Sequence, residues 1–260
     1  MRPIFRTLLG LAGSLALVAA LAAPAAAQDD AFVRVVHASP DAPNVDIWVD
    51  GEVVLRDVPF TAVSDYLALP AGTYNVQVTA TGGTDPVIDA DLTLAAGTSY
   101  TVAATGVLAE ITPVVLTDDR MPAAGQSKLR VFHASPSAPD SVDVAVTGGP
   151  VLVEGLEYAA STGYLTVDPG TYALEIRAAG ATDAALELEA ALEAGENYTA
   201  IAMDGGEAGV QVIVATEAMA MPDTATRPAA PIAPIVLVGV AALLLATARS
   251  LVLATRTLGR

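Results

Sequence analysis

The sequence contains no cysteine. No disulfide can therefore staple a small core, and no thiolate can serve as nucleophile or metal ligand. Aromatic residues make up only 5% of the 260 residues, with a single tryptophan, Trp48, so any core must be built from aliphatic side chains. Histidine occurs only at His37 and His133, a poor supply for zinc when the two stand far apart in the chain. Positive charge is also scarce: 12 Lys and Arg against 29 Asp and Glu give a net charge of −17. Between residues 28 and 222 the imbalance sharpens to 28 acidic against 6 basic residues, a field that repels phosphate backbones and argues against a nucleic-acid partner. The chain has no G-x-x-x-x-G-K loop to cradle a phosphate and no G-x-S-x-G elbow to present a nucleophile.

The remaining arginines sit at the two ends, and both ends are apolar. In residues 1–27, Arg2 and Arg6 precede an apolar run from Leu8 to Leu21, and Ala25-Ala26-Ala27 follow. That order predicts a secretory signal peptide cut between Ala27 and Gln28. At the other end, Ile232 to Ala248 is a run of 17 uncharged, mostly apolar residues followed by Arg249, Arg256 and Arg260. As a helix it would span about 26 Å against a hydrocarbon core of about 30 Å. Continuing through Leu251-Val252-Leu253 lengthens it if Arg249 snorkels to the interface. The sequence thus predicts a single-pass anchor over 232–254 with a basic cytoplasmic tail, 255–260. Met221-Pro222-Asp223-Thr224-Ala225 ahead of it resembles the pentapeptide read by sortases, which would cut between Thr224 and Ala225 and leave the chain on the cell wall.

The middle of the chain is duplicated. Val33-Arg34-Val35-Val36-His37-Ala38-Ser39-Pro40 recurs as Leu129-Arg130-Val131-Phe132-His133-Ala134-Ser135-Pro136, and Pro43 matches Pro139. Farther on, Tyr66-Leu67 and Gly72-Thr73-Tyr74 return as Tyr164-Leu165 and Gly170-Thr171-Tyr172. The repeats occupy 28–118 and 128–217. The segment 119–127, which gathers charge, proline and glycine, links them, and 218–231 forms an Ala/Pro/Thr-rich stalk. Fully extended, the stalk reaches about 40 Å.

Within a repeat the period is two. Val45, Ile47 and Val49 alternate with Asp46, Trp48 and Asp50, the pattern of a strand with one buried face. Asp50-Gly51 is a two-residue hairpin signal. Asp183–Ala194 is rich in Ala, Leu and Glu, but Leu186, Leu188 and Ala190 alternate with Glu187 and Glu189, so a strand is expected there too. Short strands with turn residues between them predict an all-β chain of two tandem Ig-like or transthyretin-like β-sandwich domains.

The paired H-A-S-P-x-A-P motifs, followed by Pro70-Ala71-Gly72-Thr73-Tyr74 and by Ala96-Gly97 with Tyr100-Thr101, resemble the family of unknown function numbered 4397. The resemblance covers about residues 32–118 and 128–217. The second copy departs by an extra residue in Val142-Asp143-Val144-Ala145-Val146-Thr147-Gly148-Gly149, with Ala145 where Trp48 stands. The resemblance implies exported bacterial or archaeal proteins built of sandwich modules, and brings with it no activity, ligand or catalytic residue.

Candidate chemistry is confined to the motifs. His37 with Ser39, and His133 with Ser135, place an imidazole and a hydroxyl two positions apart on a strand end. A nucleophile also needs a third group to orient the base. The alternative is a strand terminus whose serines bond their own turn and whose prolines stop the strand. Asp41, Asp46, Asp140 and Asp143 flank the same loops and are weak calcium candidates, since calcium needs several oxygens converging on one point. Asn197-Tyr198-Thr199 is a formal glycosylation sequon on a strand. Trp48 and Tyr66 are candidate exposed aromatics for a binding surface. No cofactor is expected. The sequence points to a non-enzymatic surface protein held by the membrane or wall, serving adhesion, envelope structure or the binding of a glycan or protein. An extracytoplasmic hydrolase working through the HASP loops is the alternative.

Overall fold

The computed structural model describes residues 29–121, 124–205 and 209–217. The expected signal peptide with its Ala27–Gln28 junction, the stalk, the Thr224–Ala225 sorting site, the membrane segment and the basic tail lie outside these residues. Among the described residues no helix is long and apolar enough to cross a membrane.

The first repeat forms β1 (Ala31–Ala38), β2 (Val45–Val49), β3 (Glu52–Val58), β4 (Leu67–Leu69), β5 (Gly72–Ala80), β6 (Pro86–Leu94), β7 (Ser99–Thr105) and β8 (Thr112–Asp118). The second forms β9 (Ser127–His133), β10 (Ser141–Val146), β11 (Val151–Glu157), β12 (Leu165–Val167), β13 (Gly170–Ala178), β14 (Leu186–Leu192), β15 (Asn197–Asp204) and β16 (Val210–Thr216). Each repeat folds into two four-stranded sheets. In the first they run β4-β1-β7-β8 and β3-β2-β5-β6; in the second, β12-β9-β15-β16 and β11-β10-β13-β14. The Asp183–Ala194 segment supplies β14, a strand as its alternation predicts. One feature leaves no trace in the residue pattern: β1 lies parallel to β7, and β9 parallel to β15.

Local geometry follows from residue type. Asp50 and Gly51 sit at φ 50° and 81° between β2 and β3, the two left-handed positions of a hairpin turn whose twist matches the strands. In the second repeat the extra residue enlarges this turn to Thr147–Pro150, with Gly148 at φ 68°.

The cores are aliphatic. Val35, Val45, Ile47, Val58, Val78 and Ile88 fill the first sandwich, and Val131, Val142, Val144, Leu156 and Ile176 fill the second. Each such side chain contributes about 1.5–3 kcal/mol by leaving water. The inner sheets of the two sandwiches also pack on each other. Val36, Ala38 and Ala103 of the first repeat meet Phe132, Ala134, Ile201, Met203 and Ile213 of the second in one buried layer. Strands β1 and β9 are therefore covered on both faces, which is why they lack the one-in, one-out alternation of β6.

Candidate functional site

The HASP loops are held by their own histidines. The His37 ring is fully buried at the end of β1, with Nε2 3.1 Å from the Pro43 carbonyl oxygen. A carbonyl only accepts, so Nε2 carries the proton and donates. Nδ1 then accepts from the Ser39 backbone N–H at 3.4 Å. In the second loop His133 Nε2 donates to the Pro139 carbonyl at 3.0 Å. The six-residue spacing from His to the last Pro of the motif is thus the reach of one imidazole across a turn. The backbone doubles the tie: His37 N–H donates to the Ala62 carbonyl and Thr61 N–H to the His37 carbonyl, at 3.0 and 2.9 Å. His133 repeats both bonds with Ala160 and Ala159. Edge-on contacts with Phe60 and Tyr158 close the rings off. Burial lowers the His37 pKa from its ordinary value, partly opposed by the bond to Pro43.

Neither serine engages its histidine through the hydroxyl. Ser39 Oγ is buried with no hydrogen-bond partner among the described residues, and Ser135 Oγ donates to Asp204 Oδ1. The aspartates that flank the loops go to separate tasks. Asp46 accepts the backbone N–H of Asp57 at 2.8 Å and of Gly82 at 3.0 Å. Asp143 accepts those of Gly155 and Gly180 at 2.7 and 2.8 Å. Asp57 and Gly155 have φ of 52° and 59° and mark irregularities in the β2–β3 and β10–β11 pairings. Each carboxylate therefore clamps a bulge in the neighbouring strand, and these backbone bonds pull both aspartate pKa values down. Asp41 is exposed and accepts the Leu108 N–H at 2.7 Å. Asp140 is exposed, and its carbonyl accepts from Tyr158 N–H at 2.7 Å. Among the described residues no group of three or more His, Asp or Glu side chains gathers where it could hold a metal ion.

Neither of the two aromatics expected on the surface stands free. Tyr66 is not an exposed aromatic platform. Its ring lies against the guanidinium carbons of Arg34 at 5.0 Å and Arg120 at 4.4 Å, and its hydroxyl meets Asp118 Oδ2 at 2.7 Å and Glu217 Oε2. Trp48 is half-buried and donates to Thr79 Oγ1 at 3.0 Å. The sequon residue Asn197 is 3% exposed and donates to the carbonyls of Asp119 and Met121 in the linker, which leaves no room for a glycan.

Tyr66 belongs to a buried ionic cluster between the repeats. Arg34 of β1 donates to Glu217 Oε1 at 2.6 Å and to the Thr216 carbonyl at 3.1 Å. In mirror fashion Arg130 of β9 donates to Asp118 Oδ1 at 2.5 Å and to the Thr117 carbonyl at 2.9 Å. Each arginine thus takes its nearer carboxylate from the end of the other repeat, with its own repeat's carboxylate 3.8 Å away. Thr101 joins Arg34 Nε to Asp118, both bonds at 2.7 Å. Thr199 joins Arg130 Nε to Glu217 at 3.2 and 2.5 Å. All four charged side chains are at most 2% exposed. Burial works against the charge on Arg34, but Glu217, Tyr66 and Asp118 outweigh it and raise its pKa. Tyr66 and Tyr164 shift upward chiefly through burial.

The sandwiches differ inside. The first holds an apolar cavity of about 130 Å³ between its sheets, where the second has two smaller ones of about 30 and 20 Å³.

Two tandem folds with the same stapled loops call for comparison with known domains. The domain of unknown function DUF4397 matches residues 31–140 and again 137–241. The chain belongs to this family. No curated protein matches it. Among solved structures, it is similar to CBMbc (family CBM26) from Eubacterium rectale Amy13K in complex with maltoheptaose. That match has 8% identity over 74% of this chain and 98% of the other, at a TM-score of 0.25. It is also similar to the Bacillus anthracis TIE protein, at 12% identity over 67% of this chain and 34% of that one, TM-score 0.23. A Bacteroides fragilis protein proposed to act in cell adhesion matches at 10% identity over 75% and 100%, TM-score 0.18. TM-scores this low carry no argument about what the DUF4397 repeats bind.

Proposed function

We propose that this chain is an exported, surface-anchored, non-enzymatic protein whose two DUF4397 repeats act as one rigid head. The head serves adhesion, envelope structure or the binding of a surface glycan or protein. A signal peptide, 1–27, directs export; the stalk 218–231 lifts the head; the segment 232–254 anchors it, with tail 255–260 inside. The observation that carries the non-enzymatic part is the fate of the HASP side chains. Both histidines spend Nε2 on a proline carbonyl, and neither serine hydroxyl reaches an imidazole. Hydrolysis through these loops would need ring nitrogen and hydroxyl in contact, so the geometry weighs against the hydrolase alternative.

The location is tested on the native protein by intact mass and by mapping both termini. A chain running from Gln28 to Arg260 that needs detergent for release supports the membrane anchor. An end at Thr224 bearing a wall fragment supports sorting to the wall. Recovery from the cytosol with residues 1–27 intact overturns the proposal.

A further inference from the structure

The two repeats share a fold, a loop motif and an interface, yet among the described residues the inter-sheet hollow of the first is the larger, about 130 Å³ against about 30 Å³. At three aligned positions of the lining the second repeat has leucine and the first a smaller side chain. Val76 pairs with Ala90 across β5 and β6, while the matching pair across β13 and β14 is Leu174 with Leu188. Val33 on β1 stands where β9 has Leu129, both on the strand that pairs with the following parallel neighbour at Tyr100 and Tyr198. The three leucines fill the second sandwich, and their smaller counterparts leave the first unfilled. Other lining exchanges run the other way, Leu92 against Ala190, Val102 against Ala200, Leu69 against Val167 and Ile47 against Val144, so what matters is where the volume sits and not its total.

A void of this size costs stability, because its walls lose contacts that nothing replaces. The second repeat demonstrates that the fold can close it. The cavity is about as large as an engineered apolar cavity of about 150 Å³ in another protein, which stays dry and binds benzene or xenon. Its walls also reach solvent: Val54 and Val115 line it and are 37% and 45% exposed. Almost no polar group faces it. The Tyr74 hydroxyl donates to the Pro70 carbonyl at 2.8 Å, and Asp91 takes an N–H from Asn75 at 3.3 Å. An anionic group at the mouth would meet Asp91 and a chain of net charge −17.

We propose that the inter-sheet cavity of the first repeat is a binding site for a neutral hydrocarbon group of about benzene's size. Two sources supply that chemistry: a free small hydrocarbon, or the chain end of an uncharged amphiphile. The site is independent of where the chain is anchored and of whether the HASP loops do chemistry.

The full chain in lipid nanodiscs is titrated with benzene and, separately, with n-hexyl β-glucoside, and the methyl resonances of Val33, Val76 and Ala90 are followed by NMR. The expected result is a saturable shift of these methyls at one equivalent. Binding should weaken at least tenfold in the Val76→Leu/Ala90→Leu variant, which copies the second repeat. The mirror variant Leu174→Val/Leu188→Ala should gain a second equivalent, so the result does not hang on the filled variant folding. Binding of benzene alone assigns the site to free hydrocarbons; binding of the glucoside assigns it to a chain end. Methyls that neither probe moves would overturn the proposal. So would a folded Val76→Leu/Ala90→Leu variant that binds as tightly as the unaltered chain.

Discussion

Arg34 Nη2 lies 2.6 Å from Glu217 Oε1, a bond between residues 183 positions apart that joins the first strand of one repeat to the end of the other. Both side chains are at most 1% exposed. Taking a single partner away leaves a buried charge uncompensated, which costs about 3–5 kcal/mol, whereas replacing the whole set by apolar groups is often neutral. Arg34→Met should therefore lower the unfolding free energy obtained from urea titration by that amount at pH 7. Adding Glu217→Leu should restore much of it. A loss in the double variant equal to the sum of the losses in Arg34→Met and Glu217→Leu alone would mean that the two residues are not coupled.

The repeats should stay together without a covalent link. Met121, in the connecting segment, is 77% exposed, so a protease site placed there can be cut in the folded protein. The halves should co-elute on size exclusion even at about 1 M salt, where screening acts within about 3 Å but the ion pairs are out of water's reach. Separation on cutting would show that the layer of Val36, Phe132, Ile201 and Met203 does not hold by itself.

His37 gives a signed pH dependence. Its folded pKa is below the ordinary value because burial disfavours the imidazolium. The unfolded chain therefore binds a proton more readily, and stability falls as pH drops below about 6.5, with a slope of at most about 1.4 kcal/mol per pH unit. The full contribution is present above that pH. The difference in urea midpoint between the unaltered chain and His37→Gln, measured from pH 7.5 down to 5, isolates the effect from the easing of acidic repulsion. A difference that does not change with pH would show that His37 does not titrate differently on unfolding.

Asp46 should behave as a clamp. Asp46→Ala strands the N–H groups of Asp57 and Gly82, and hydrogen bonds to a charged group are worth about 1.5–3 kcal/mol. The loss should appear in the urea midpoint and as faster exchange of the Gly82 amide. Because those bonds lower the Asp46 pKa, its contribution is complete above about pH 3.8 and fades as pH falls below it. Millimolar calcium should leave the melting temperature unchanged, since both Asp46 oxygens are already engaged; a rise in melting temperature would reinstate the metal.

Glycine positions should separate strain from crowding. A Cβ at Gly51 meets no atom within 4 Å, so Gly51→Ala should cost only the left-handed conformation at φ 81°, about 1 kcal/mol. At Gly106, φ 94°, the Cβ would stand 2.8 Å from the Glu110 carbonyl oxygen, and Gly106→Ala should cost distinctly more. Thermal melts of both variants check the order.

Much of this was legible in the chain itself. Alternation around Ile47 marks a strand, Asp50-Gly51 marks its turn, and the repeated motif marks two copies of one sandwich. The HASP motif could be read as a strand end, but its spacing becomes intelligible only when His37 Nε2 is seen at the Pro43 carbonyl. The ionic cluster left a weaker trace. Phe32 to Val36 is apolar at both parities except for Arg34, and β9 repeats the exception at Arg130, which is what a strand buried on both faces and carrying one paired charge looks like. Asp118 and Glu217 could not be assigned to these arginines, because partners brought together by packing leave no local pattern. Tyr66 misled for the same reason: an aromatic beside a loop is exposed only if nothing packs over it. The cavity needs the two copies aligned position by position, since Val76 and Ala90 are ordinary strand residues alone.

Crosswise pairing also changes what counts as the heritable unit. A lone repeat would keep its arginine 3.8 Å from the carboxylate at its own end, as Arg34 is from Asp118, but would lose the closer partner that its sibling supplies. A longer array assembled from this design would complete its charge pairs by twos, and an odd-numbered descendant would leave one arginine with the longer pairing alone.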